Sequence, residues 1–209
     1  MKGYFITVEG IEGVGKSTQI QAIRVWLEAR GRRAVTTREP GGTPLAERLR
    51  ELVLKPQGES VGAISELLLM FAARSVHLDN LVRPALAQGA VVVCDRFTDA
   101  TYAYQGTGRG LPDEAIRALE QLVQGVLRPD LTLLLDAPAE IGLARAARRQ
   151  AAGGADRFDG ERIDFFRKAR DRYLERARAE PNRVVVIDAK RSVHEVSQHI
   201  ESVLATRLG

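Results

Sequence analysis

The chain has 209 residues, 44% hydrophobic and 28% charged, a balance that excludes a largely disordered polymer and suits one domain with its own core. Its 31 Lys and Arg are interleaved with 27 Asp and Glu, a net charge of +4 that argues against a nucleic-acid-binding surface and fits a phosphorylated small substrate. A lone Cys94, in an apolar run, excludes an internal disulfide; with no run as long as a membrane span and no apolar signal-peptide core near Met1, a cytoplasmic location without membrane contact is expected.

The first element is a strand over 4–9, followed by a helix from Lys16 to Arg30 in which Ile20, Ile23 and Leu27 share a face. Further strands are predicted at 34–37, 90–95, 131–136 and 183–188, and helices at 44–54, 64–87, 113–127, 139–150, 162–179 and 193–208. The stretch 98–110 reads as a loop beyond a strand end. Near-continuous apolar strands alternating with helices imply a five-stranded parallel sheet with helices on both faces, a doubly wound α/β domain. One domain over 1–209 is expected, and the small-residue run 151–155 between two arginine-rich helices reads as the hinge of a lid around 145–160.

Between the first strand and helix stands Gly10-Ile11-Glu12-Gly13-Val14-Gly15-Lys16-Ser17, followed by Thr18. It matches the phosphate-binding pattern G-x-x-x-x-G-K-[ST] in the strand-to-helix context that the pattern requires. Glycines let the loop turn successive N–H groups inward, and the helix start adds its positive dipole end. Lys16 is expected on the β- and γ-phosphates of ATP, Ser17 on Mg²⁺ and Thr18 near the α-phosphate. The loop by itself fits kinases, GTPase switches, motor ATPases and recombinases alike. A base-reading N-K-x-D segment is missing from both later strand ends, which counts against a GTPase.

Three further segments bring cations and an aromatic towards strand ends: Arg38-Glu39-Pro40-Gly41-Gly42-Thr43, Phe71-Ala72-Ala73-Arg74, and Asp95-Arg96-Phe97 with Tyr104-Gln105-Gly106-Thr107-Gly108-Arg109-Gly110. With the phosphate loop and Asp156-Arg157, these segments in this order closely resemble the bacterial thymidylate kinase family over almost the whole chain. The resemblance implies the P-loop nucleoside monophosphate kinase fold and transfer of the γ-phosphate of ATP to thymidine 5′-monophosphate (dTMP), giving dTDP and ADP. The alternatives are a kinase of another nucleoside monophosphate and a P-loop ATPase or GTPase switch.

By that resemblance Phe71 stacks on thymine, Arg74 donates to a base carbonyl, and Thr101 and Gln105 help hold base and sugar. Helical spacing with Leu67 and Met70 leaves a core position open for Phe71. Arg96 and Arg50, with Arg38 beside them, are candidates to grip the acceptor 5′-phosphate, because a guanidinium fork matches phosphate oxygens; for Arg50 a solvated helix face is the alternative. Asp95 suits a carboxylate holding Mg²⁺-bound water, with an ion pair to Arg96 as the plainer reading. Glu39 is expected to act on metal-bound water or to orient an arginine, and Pro40 to fix the turn beneath the base. Glu12 is implied at the deoxyribose 3′-hydroxyl. Tyr104 is expected where it crowds a 2′-hydroxyl, or else in the core.

The phosphate loop has no arginine between Gly10 and Lys16, so catalytic charge is expected from the lid, on Arg149 or Arg157, with Arg145 along the adenine or ribose. Asp159 stands where the family more often has glutamate. The adenine is expected near Ala189, Lys190 and Arg191. The family usually forms homodimers through long helices, for which 64–86 is apolar enough.

Overall fold

The computed structural model describes residues 2–55, 58–150 and 161–209, without the side chains of 149 and 150. Five strands, β1 (Tyr4–Glu9), β2 (Ala34–Arg38), β3 (Val91–Asp95), β4 (Leu131–Asp136) and β5 (Val184–Asp188), form one parallel sheet in the order β2-β3-β1-β4-β5. The strands are runs of Val, Leu and Ile, with β3 and β4 buried except at their last residues, as a sheet covered on both faces requires. Val8 is in register with Asp95, so the carboxyl ends of β1 and β3 lie side by side. The connections leaving them run to opposite sides of the sheet, which opens a crevice above this pair.

The helices are α1 (Lys16–Glu28), α2 (Pro44–Leu54), α3 (Ala63–His77), α4 (Arg83–Ala87), α5 (Thr98–Thr101), α6 (Asp113–Gln124), α7 (Ala139–Gln150), α8 (Ile163–Ala179) and α9 (Val193–Leu208). Local signals set several of the boundaries. Pro44 opens α2, where a missing N–H costs nothing. Ser192 and Glu195 close a reciprocal capping box on α9.

Two segments depart from the sequence reading. The single helix expected over 64–87 is divided by a wide, π-helical turn at Leu78–Val82, immediately before Pro84. A proline ring collides with the carbonyl four residues back and has no N–H to give it, and a wider turn relieves both. The stretch 98–110 is not an irregular loop: α5 runs into a second π-helical segment, Tyr102–Gly108. Its threonines and glycines carry little local helix signal. Packing supplies what propensity lacks, since Ala100, Ala103 and Tyr104 are buried in the main core. At Gly108 a Cβ would sit 2.6 Å from a ring carbon of Phe165 on α8, so only glycine lets the two segments approach this closely.

A large core cluster takes in Ile6, Val8, Ile23, Leu133, Phe166 and Ile200 and, through the adjacent Leu133 and Leu134 of β4, reaches both faces of the sheet. Phe5, Leu78, Val92 and Phe97 form a second cluster. No helix among the described residues is long and apolar enough to cross a membrane.

Candidate active site

The loop from Gly10 to Ser17 leaves the central strand at the crevice. Gly13 (φ 73°) and Gly15 (φ 95°) adopt backbone conformations that other residues resist. A Cβ on Gly13 would lie 1.8 Å from the carbonyl oxygen of Gly142, so the loop rests directly on α7. Ile11 and Val14 send their side chains into the core, leaving their backbone for a ligand. Lys16 is buried and its Nζ donates to the carbonyls of Gly10 and Ile11, 3.0 Å each. Burial and the neighbouring Arg96 guanidinium push this ammonium down to about 8, against the pull of Asp95, Glu12 and Glu9.

A cavity of about 480 Å³ joins this loop to the segments following β2 and β3. Glu12, Gly13, Gly15, Lys16, Ser17, Thr18, Glu39, Pro40, Arg50, Asp95, Arg96, Tyr104 and Gln105 all line it, so most of the expected site residues converge in one space. Arg96 Nη2 meets Glu12 Oε1 at 2.6 Å, the Tyr104 hydroxyl donates to Glu12 Oε2 at 2.8 Å, and the Arg96 guanidinium lies 4.7 Å over the Tyr104 ring. Although burial opposes it, the pull of Arg96 and Lys16 holds Glu12 below the usual carboxylate range. Arg50 Nη1 donates to the carbonyl of Pro40 at 2.7 Å, and the Glu39–Pro40 peptide bond is cis. Gln105 Nε2 donates to Glu66 at 2.8 Å, while its Oε1 is buried without a hydrogen-bond partner among the described residues.

Four of the expected residues do not line this cavity. Phe71 does not face the cavity: it packs with Leu67, Tyr102 and Ile116, and Met70, one position earlier on α3, lines the space. One residue turns a helix by about 100°, so adjacent positions on α3 face cavity and core. Arg74 is fully buried behind the wall, donating to Glu39 (2.6 Å), Thr101 (2.9 Å) and Gln124 (3.3 Å). Thr101 is fully buried there with it, reached through Arg74. Arg38 pairs in two places with Glu47, 3.2 and 2.9 Å, and lines an adjoining space with Ser17 and Asp95 rather than the main cavity. Glu39 accepts from Arg74 and lies 2.9 Å from His77 Nδ1 through its other oxygen.

Sequence reasoning passed over Met70, Leu54, Glu66 and Glu9. Met70 enters the sequence reading only through its helical spacing with Phe71, and Leu54 only as the end of a helix; the direction of each helix turns them to the cavity. Glu9 is the last residue of β1, with no exposed surface, accepting from the Phe97 amide (2.7 Å) and the Tyr173 hydroxyl (2.9 Å). Burial, with Asp99 nearby, pushes its carboxyl up to about 7. A glutamate directly before a phosphate loop was the available signal.

Asp95 Oδ1 is buried and has no hydrogen-bond partner among the described residues, and Asp95 lines both spaces together with Ser17. A buried carboxylate oxygen left open beside a hydroxyl is a donor set that fits Mg²⁺ or its bound water. Arg145 Nη1 donates to the carbonyl of Ala189 at 2.8 Å and so ties α7 to the turn after β5, where the adenine is expected. The Arg149 side chain, Asp156, Arg157, Asp159 and the hinge 151–155 lie outside the described residues.

Known proteins similar to this chain share its family and fold. The family model described as thymidylate kinase matches residues 8–200. The thymidylate kinase of Pseudomonas syringae pv. syringae (strain B728a) is 57% identical over 204 residues, 98% of this chain and 96% of that protein. That of Pseudomonas putida (strain W619) is 58% identical over 200 residues, 96% and 95% of the two chains. The crystal structure of thymidylate kinase from Ehrlichia chaffeensis superposes with a TM-score of 0.77 at 33% identity, covering 98% of this chain and 99% of the other. A family model matched over residues 8–200, relatives 57–58% identical over nearly their full length and a solved structure of the same fold place this chain in the thymidylate kinase family.

Proposed function

We infer that the chain transfers the γ-phosphate of ATP to dTMP, giving dTDP and ADP. The observation that carries this reading is the single cavity in which the loop residues Lys16, Ser17 and Thr18 face Arg50 and Arg96. Donor and acceptor phosphates then meet in one space, which converts a bimolecular transfer into an oriented one.

In this reading the loop amides and Lys16 hold the ATP phosphates. Ser17 and Asp95 would hold Mg²⁺, which would supply positive charge to offset that of the ATP phosphates. Arg96 and Arg50 grip the acceptor phosphate, with Arg38 at the side of the metal site. The acceptor is already anionic near neutral pH and needs no general base. Burial keeps the Tyr104 phenol protonated, so that it donates to Glu12 and its ring stands where a 2′-hydroxyl would intrude. Met70, Pro40 and Leu54 give the base an apolar wall, and Gln105 offers its open Oε1. Arg74, Thr101 and Phe71 act from behind that wall, Arg74 by holding Glu39.

The lid arginines Arg149 and Arg157 are retained on sequence grounds as the source of charge on the transferred group, and Arg145 as a neighbour of the adenine. The domain is read as one unit over 1–209 with a lid at 145–160, acting in the cytoplasm as a homodimer. Leu45 and Leu52 on α2 and Ile64 and Leu68 on α3, each 43–66% exposed, supply a surface for the second copy.

A panel of nucleoside monophosphates assayed for ADP formation with Mg²⁺ and ATP tests the assignment. The expected outcome is strongest turnover with dTMP. Faster turnover with another monophosphate, or ADP release that ignores the acceptor, contradicts it.

A further inference from the structure

Arg96 has φ 67°, a left-handed conformation that a non-glycine residue adopts at a cost on the order of 1 kcal/mol or more. Something has to hold it. Its guanidinium end is fixed by Glu12 and the Tyr104 ring. Its backbone end is fixed separately: the Arg96 N–H donates to the Val8 carbonyl (3.0 Å), the Cys94 thiol donates to the Arg96 carbonyl (3.0 Å), and the next N–H, that of Phe97, donates to Glu9 Oε1 (2.7 Å).

Of these clamps Glu9 is the most expensive to build. It is a carboxylate with no exposed surface at the centre of the sheet, and burial raises its pKa well above that of an exposed glutamate. A backbone amide and a phenol occupy its two oxygens. Removing it leaves the Phe97 N–H buried and unpaired, next to the strained residue.

We propose that Glu9 is a positioning residue for acceptor binding: through the Phe97 amide it holds the Arg96 backbone in the left-handed conformation that aims the guanidinium at the acceptor phosphate. The inference rests on the reading of Arg96 given above. A long side chain amplifies a small backbone rotation, and misplacement of a phosphate clamp by about 1 Å costs on the order of 100-fold.

The test compares Glu9→Asp, which withdraws the carboxylate by one bond of about 1.5 Å, with Glu9→Gln, which keeps a carbonyl oxygen in place for the amide. Glu9→Asp is expected to raise KM for dTMP by about 10-fold with KM for ATP unchanged within about 2-fold; Glu9→Gln stays within about 3-fold of wild type for both. In an Arg96→Ala background Glu9→Asp adds nothing further. Should Glu9→Asp not fold, Cys94→Ala removes another clamp on the same residue and is expected to raise KM for dTMP about 3-fold, again sparing ATP.

Wild-type constants in both Glu9→Asp and Cys94→Ala overturn the proposal. So do equal damage from Asp and Gln, which marks charge rather than geometry, and an undiminished Asp effect without Arg96. If Arg96→Ala itself leaves KM for dTMP unchanged, the acceptor-phosphate reading fails first and takes this inference with it.

Discussion

Lys16 makes the pH dependence of the protein specific. Its ammonium is buried and depressed from 10.5 to about 8, so between those values the unfolded chain binds a proton that the folded chain has lost, and stability from this group rises with pH across that window. Activity runs the other way, because the charged form is the one that meets ATP. With saturating dTMP, kcat/KM for ATP should fall above about pH 8, towards about tenfold per unit; a flat profile to pH 9.5 would show that Lys16 keeps its proton. Met70 and Phe71, adjacent on α3, should separate binding from folding. Met70→Ala is expected to raise KM for dTMP about 10-fold with a small change in Tm. Phe71→Ala should lose about 3–5 kcal/mol of stability while the folded fraction keeps its KM. Reversal of that pattern would return the base contact to Phe71.

Among the elements, the phosphate loop and α7 approach so closely that glycines are needed on both sides. A Cβ on Gly142 would lie 2.5 Å from the Glu12 carbonyl oxygen, and one on Gly13 would collide with the Gly142 carbonyl in turn. Inside a helix, alanine is preferred to glycine by about 1 kcal/mol, so Gly142→Ala gains local propensity while pushing the loop off its seat. The displaced loop should dominate: KM for ATP is expected to rise about 10-fold or more with Tm little changed, as steady-state kinetics and calorimetry can measure. An unaffected KM would mean that α7 yields instead. The same kind of contact, Gly108 against Phe165, explains why a threonine- and glycine-rich segment with little intrinsic helicity is wound into a helix over the acceptor cavity. The start of α9, by contrast, is set locally, by the capping box between Ser192 and Glu195.

At the scale of the whole molecule, the exposed leucines and isoleucine of α2 and α3 carry the expectation of a homodimer. Leu68→Glu places a charge in that surface and should convert dimer to monomer in light scattering; a wild-type protein that already runs as a monomer contradicts the expectation. By itself the sequence determined the parallel α/β sheet, the phosphate loop on its central strand, and the family, because buried strands, a strand-to-helix glycine loop and ordered motifs are written in local pattern. It also determined most of the cavity lining, including Arg50, Arg96, Tyr104 and Gln105. Only the tertiary structure decided that Met70 rather than Phe71 faces the cavity, that Arg74 and Thr101 stand behind the wall, that Arg38 turns to Glu47, and that Glu9 supports Arg96. Each of those outcomes depends on the rotation of a helix about its axis or on a partner distant in sequence, and neither is encoded in the spacing of nearby residues.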